Sequence, residues 1–120
     1  MFLVLLAGCA TSTTKIPLVI NKYDVDGNEH PYKTINNEED IKEVKKVLKN
    51  TKWENSKVEL KKNPDYNFYF DNPNAKTIEY RLWITPNKKQ IEIYKGTAEF
   101  AKLSVKDSTS IFSFFEIRSN

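Results

Sequence analysis

The residue with the most defined chemistry is Cys9, which closes the tetrad Leu6-Ala7-Gly8-Cys9 behind the apolar run Phe2-Leu3-Val4-Leu5-Leu6. A terminal cysteine after small residues and before the polar stretch Ala10-Thr11-Ser12-Thr13-Thr14 has the form of a bacterial lipobox, at which the thiol becomes a diacylglycerol thioether and cleavage leaves Cys9 as the mature N-terminus. The apolar run is far shorter than the roughly 20 residues a spanning helix needs, so residues 1–8 read as a signal peptide. No Lys or Arg precedes the run, and it falls short of a typical signal core, so a native start upstream of Met1 is expected. Residues 9–15 then form a polar tether and residues 16–120 a single domain.

Other chemistry-bearing residues lack assembled partners in the sequence. Asp24-Val25-Asp26-Gly27-Asn28-Glu29 spaces oxygen ligands like the start of a calcium loop, but Glu29 stands where the bend needs Gly and Ile35 where a closing Glu belongs. The segment therefore reads as a hairpin turn. The one histidine, His30, precedes Pro31 in that turn and reads as an exposed imidazole. Cys9 is the sole cysteine, so the domain has no disulfide framework and no cysteine-based metal centre. No catalytic residues, metal or cofactor are assigned. A carboxylate hydrolase using Asp65, Glu79 or Glu92 is the enzymatic alternative, and a structural accessory lying on the membrane surface is another.

The elements that would position these residues follow from periodicity. Residues 16–23 are rich in β-branched side chains and face residues 29–35 across Asp26-Gly27, a pair suited to positive φ, which predicts a hairpin. Asn36 or Asn37 caps a helix that opens with Glu38-Glu39-Asp40 and closes with lysines, complementing its dipole; Asn36 with Glu39 has capping-box spacing. Ile41, Val44 and Leu48, with Val47 beside them, form its apolar stripe. Trp53 is expected to pack the corner after this helix. Period-two patterns then mark strands at 57–60, 66–70, 78–85, 90–94 and 98–103, separated by short Asn-, Pro- and Gly-containing turns that favour an antiparallel meander. A last helix begins after Ser104 and buries Ile111, Phe112 and Phe115. The expected fold is α+β: an antiparallel sheet of about five or six strands with two helices packed on it.

Parity divides the sheet into two faces. Tyr66, Phe68, Phe70, Ile78, Tyr80, Leu82, Ile84, Ile91 and Ile93 share the core side. Asn67, Tyr69, Glu79, Arg81, Trp83, Gln90, Glu92 and Tyr94 share the other, where Tyr, Trp and Arg are the types that most often anchor interfaces. Tyr69, Arg81, Trp83 and Tyr94 are accordingly the candidate binding face, unless the first hairpin or a loop covers Trp83 and Tyr69. A net charge of +3 is mild and scattered; only Arg81 and Arg118 among 19 basic residues are arginine, and the aromatic strand at 66–70 alternates as a half-buried sheet does, so nucleic acid is not an expected partner.

Trp53-Glu54-Asn55 with Lys57-Val58, Pro64-Asp65-Tyr66 with Phe68 and Phe70, and Tyr80 with Leu82-Trp83-Ile84 and Pro86-Asn87-Lys88 together resemble the YhfM-like domain of small lipoproteins in Bacillus and relatives. The resemblance covers about residues 38–117 and is weaker over 15–37. It implies a Bacillota source and an envelope lipoprotein, and it transfers no catalytic or binding residue. The expectation is a lipid-anchored module on the extracytoplasmic face of the cell membrane, with the membrane as partner through Cys9 and an envelope protein or ligand as partner of the domain.

Overall fold

A computed structural model describes residues 16–55 and 62–115; the lipobox, the tether and the strand expected at 57–60 lie outside the described residues. The chain runs β1 (Leu18–Tyr23), β2 (Glu29–Ile35), α1 (Glu38–Asn50), β3 (Glu54–Asn55), β4 (Tyr66–Phe70), β5 (Tyr80–Ile84), β6 (Ile91–Lys95), β7 (Glu99–Lys102) and α2 (Val105–Phe115). Every strand pairing among the described residues is antiparallel, in the order β2-β1-β4-β5-β6-β7-β3.

The α+β class is as expected, but the described sheet has seven strands instead of five or six. The extra strand is β3, whose two residues pair Glu54 with Phe100 and Asn55 with Glu99. Two residues are too few to carry a period-two pattern. The meander holds for β4 to β7 only, because β1 inserts beside β4 and α1 carries the chain from the β2 edge to the β7 edge.

Local chemistry accounts for the element ends. Gly27 takes φ +84°, its N–H donates to the Asp24 carbonyl at 3.0 Å, and Asp24 N–H donates to the Asn28 carbonyl at 2.9 Å, closing the β1–β2 turn. A bulge at Ile20/Asn21 accommodates Pro31 and Tyr32 on the edge strand, where a missing N–H costs the sheet least. Asn37 is the α1 cap: its Oδ1 accepts from Glu39 N at 2.9 Å and Asp40 N at 3.1 Å. At the other end Trp53 Nε1 donates to the Leu48 carbonyl at 3.1 Å, and its ring lies 6.1 Å from Tyr80, which fixes the expected corner. Ser104 Oγ accepts from Asp107 N at 3.1 Å and caps α2.

Both helices cover one face. Ile41, Val44 and Leu48 of α1 and Ile111 and Phe115 of α2 bury against Leu18, Ile20, Phe68, Tyr80, Leu82, Ile91 and Ile93. Phe112 is only half-buried. Ser108 contributes a buried polar tie, accepting from Ile91 N at 2.9 Å where the strand has just begun. Ile78 departs from its expected place on the core side: β5 starts at Tyr80, and Ile78 is 45% exposed in the preceding loop.

Candidate functional site: the sheet face opposite α1 and α2

The face opposite the helices divides into a polar half and an aromatic half. In the polar half, Asn67 is 1% exposed, although its side chain carries two donors and an acceptor. All are matched: Nδ2 donates to Tyr23 Oη at 2.9 Å and Glu79 Oε1 at 3.1 Å, and Oδ1 accepts from Asn21 Nδ2 at 3.2 Å. Asn21 Nδ2 also donates to Glu29 Oε2 at 2.8 Å. A carboxylate can only accept, so Glu79 and Glu29 fix the direction of both amides. Burial pushes the Tyr23 phenol above its ordinary value, the Asn67 bond opposes this, and nearby Glu29 and Glu79 add to the rise. Tyr23 therefore stays protonated in neutral solution.

In the aromatic half, Trp83, Tyr94 and Phe100 step across β5, β6 and β7, with ring centroids 5.9 Å and 5.2 Å apart in edge-on contacts. Trp83 and Tyr94 are each 5% exposed, and Trp83 Nε1 donates to the Lys62 carbonyl at 2.9 Å. Of the four residues expected to form a binding face, these two are internal to the sheet surface. Tyr69 and Arg81 remain partly exposed.

Arg81 lies at the seam of the two halves. Register places it between Asn67 on β4 and Tyr94 on β6. Its guanidinium sits 5.4 Å over the Tyr94 ring, and Nη2 donates to the Gly96 carbonyl at 3.1 Å. Beside it opens a cleft of about 630 Å³ lined by Lys76, Ile78, Glu79, Arg81, Gly96 and Thr97. That volume is within the roughly 300–1,000 Å³ usual for small-molecule sites. Gly96, at φ +64°, turns β6 into β7 and presents backbone at the cleft mouth. Pairing puts the start of β1 at this end of the sheet, where Asp71 N donates to the Pro17 carbonyl at 2.9 Å. The β1–β2 turn is at the far end.

The remaining carboxylates have separate positions. Asp65 Oδ2 accepts from Ile84 N at 2.7 Å, which ties the start of β4 to the end of β5. Glu92 stands between Trp83 and Lys102 on the neighbouring strands. No group of three or more His, Cys, Asp or Glu residues arranged to hold a metal occurs among the described residues.

His30 has a partner that sequence spacing did not reveal. Its Nε2 lies 2.8 Å from Asp24 Oδ2 across the hairpin, while Asp24 Oδ1 accepts from Asp26 N and Asn28 N, each at 2.9 Å. The bond to His30, followed by those backbone donors, holds the Asp24 carboxyl below its ordinary value of 3.8. A carboxyl depressed by folding stabilises the turn above the unfolded value, and this contribution is lost as pH falls through the lower folded value. Acidification is expected to shift the Asp26 and Asn28 amide resonances with one inflection below 3.8. Asp24→Asn should erase that inflection; its persistence would assign it to another group.

Together these features define a small α+β domain with helices on one side of an antiparallel sheet and a polar, aromatic face on the other. The chain belongs to the YhfM protein family, whose sequence model matches residues 14–120. That span includes the first hairpin, β1 and β2. No curated protein and no solved structure matches the chain. No described helix is long and apolar enough to cross a membrane.

Proposed function

We propose that this protein is a binding module of the cell envelope, anchored on the extracytoplasmic side by lipid on Cys9, with its ligand or partner received at the cleft beside Arg81. The observation that carries this reading is the cleft itself, which brings two cations, Arg81 and Lys76, the Glu79 carboxylate and the exposed apolar Ile78 to one opening on the side opposite α1 and α2. Tyr69, on the same face, extends the accessible surface toward β1. Six residues separate Cys9 from Ile16, a reach of about 20 Å when extended. A lipid on Cys9 would hold the cleft end of the domain near the bilayer.

Two measurements on the protein expressed from its own locus test the proposal. Cys9→Ser is expected to abolish incorporation of a fatty-acid label and to release the protein from membranes; unchanged labelling would remove the anchor. A photo-crosslinking amino acid at Thr97, in the cleft wall, should yield adducts in cells, whereas one at Val25, 98% exposed on the far turn, should not. Equal adducts from both positions would count against a site at the cleft.

A further inference from the structure

Glu79 and Arg81 line the cleft together, two residues apart on one extended stretch. Glu79 immediately precedes β5, and its carbonyl accepts from Gly96 N at 2.9 Å. Residues so spaced share a face and are separated by roughly 7 Å. Opposite charges this close commonly neutralise one another, yet neither Glu79 nor Arg81 forms an ion pair among the described residues. The fold holds them apart. Arg81 is turned onto the Gly96 carbonyl and the Tyr94 ring, and Glu79 is held by Asn67, itself locked by Asn21 and Tyr23. Each anchor uses only part of the group's capacity. Among the described residues the guanidinium, with five N–H donors, uses one, and the carboxylate keeps an oxygen that none of them occupies.

A fixed cation and a fixed anion at that separation complement a ligand carrying the opposite charges a few ångströms apart. Resting on the cleft as the binding site, we infer that its ligand is an α-amino acid zwitterion with an apolar side chain. The ligand carboxylate meets Arg81, whose planar fork matches it, and the ammonium meets Glu79. Ile78, 45% exposed at the cleft wall, provides apolar surface for the side chain. Asn67 is a positioning residue: it touches no ligand and sets the Glu79 carboxylate.

The test uses the full chain carrying Cys9→Ser and follows the Gly96 and Thr97 amide resonances during titration with leucine, N-acetylleucine, leucinamide and inorganic phosphate. Leucine should bind, and each analogue lacking one charge should bind about tenfold or more weakly, as expected for loss of one charge-assisted contact. Arg81→Gln should reduce leucine to the affinity of leucinamide, and Glu79→Gln to that of N-acetylleucine. Glu79 is exposed, so its variant isolates the charge effect from folding, and unchanged Asp26 and Asn28 resonances check both. If N-acetylleucine and phosphate bind as well as leucine, and depend on Arg81, the cleft is a plain anion site: the zwitterion is refuted and the binding module stands. If no probe binds but Thr97 still crosslinks in cells, the ligand class again falls alone. Failure of both the probes and the Thr97 crosslink overturns the two readings together.

Discussion

Phe68→Ala is expected to destabilise the domain by about 3–5 kcal/mol, the range for deleting a buried aromatic side chain. Phe68 is fully buried on β4, an inner strand of the sheet. Its ring stacks on Tyr80 at 4.8 Å with an interplanar angle of 7°, and meets Phe115 edge-on at 5.2 Å and Phe70 edge-on at 6.3 Å. Three aromatic contacts converge on it, each worth about 0.5–1.5 kcal/mol beyond area burial. Phe115 cannot collapse into the vacated space without drawing α2 away from Ile91, which is bonded to Ser108 on the same helix. For a domain of this size the change corresponds to a fall in Tm of at least about 12 °C. Urea unfolding measures it directly. A loss below about 1 kcal/mol would mean that Phe68 does not join α2 to the sheet.

The part of this core visible in the sequence is the part written in local periodicity. Ile41, Val44 and Leu48 repeat at helical spacing, and Tyr66, Phe68 and Phe70 alternate; both stripes face the core with Tyr66 and Phe68 buried. Asp26-Gly27 marks a turn because positive φ there needs glycine. Element order is different, because it depends on which strand edge is free when the chain returns. Nothing local says that α1 crosses the sheet or that β1 pairs with β4.

The same division holds at the site. Parity placed Glu79 and Arg81 on one face, since alternation is a property of the strand alone. The Asn67 network was not legible. Its hydrogen bonds span 44 residues to Tyr23 and 46 to Asn21, and an asparagine inside a strand carries no sign that three distant side chains will satisfy it. The cleft was hidden for a related reason: its wall is a loop that leaves the sheet before Tyr80, carrying Ile78 away from the core side that alternation alone assigns.

Trp83 is the residue for which burial changes the experiment. An exposed interface anchor can be cut to alanine with stability altered by no more than about 0.5 kcal/mol, and only binding suffers. At 5% exposure, with Tyr94 5.9 Å away and Lys62 accepting its indole N–H, Trp83→Ala is instead expected to cost about 3–5 kcal/mol. It should also weaken the support of the Tyr94 ring under Arg81. Trp83→Phe separates the contributions. It keeps an aromatic ring against Tyr94 but loses the bond to the Lys62 carbonyl, worth about 0.5–1.5 kcal/mol. The expected order in urea midpoint is wild type, then Trp83→Phe, then Trp83→Ala. Equal stability of all three would place the indole outside the packed surface and restore it as a candidate contact. With the expected order, loss of binding in Trp83→Ala reports unfolding of the platform. Tyr69, Arg81 and Glu79 are then the positions at which recognition can be altered while the sheet stays intact.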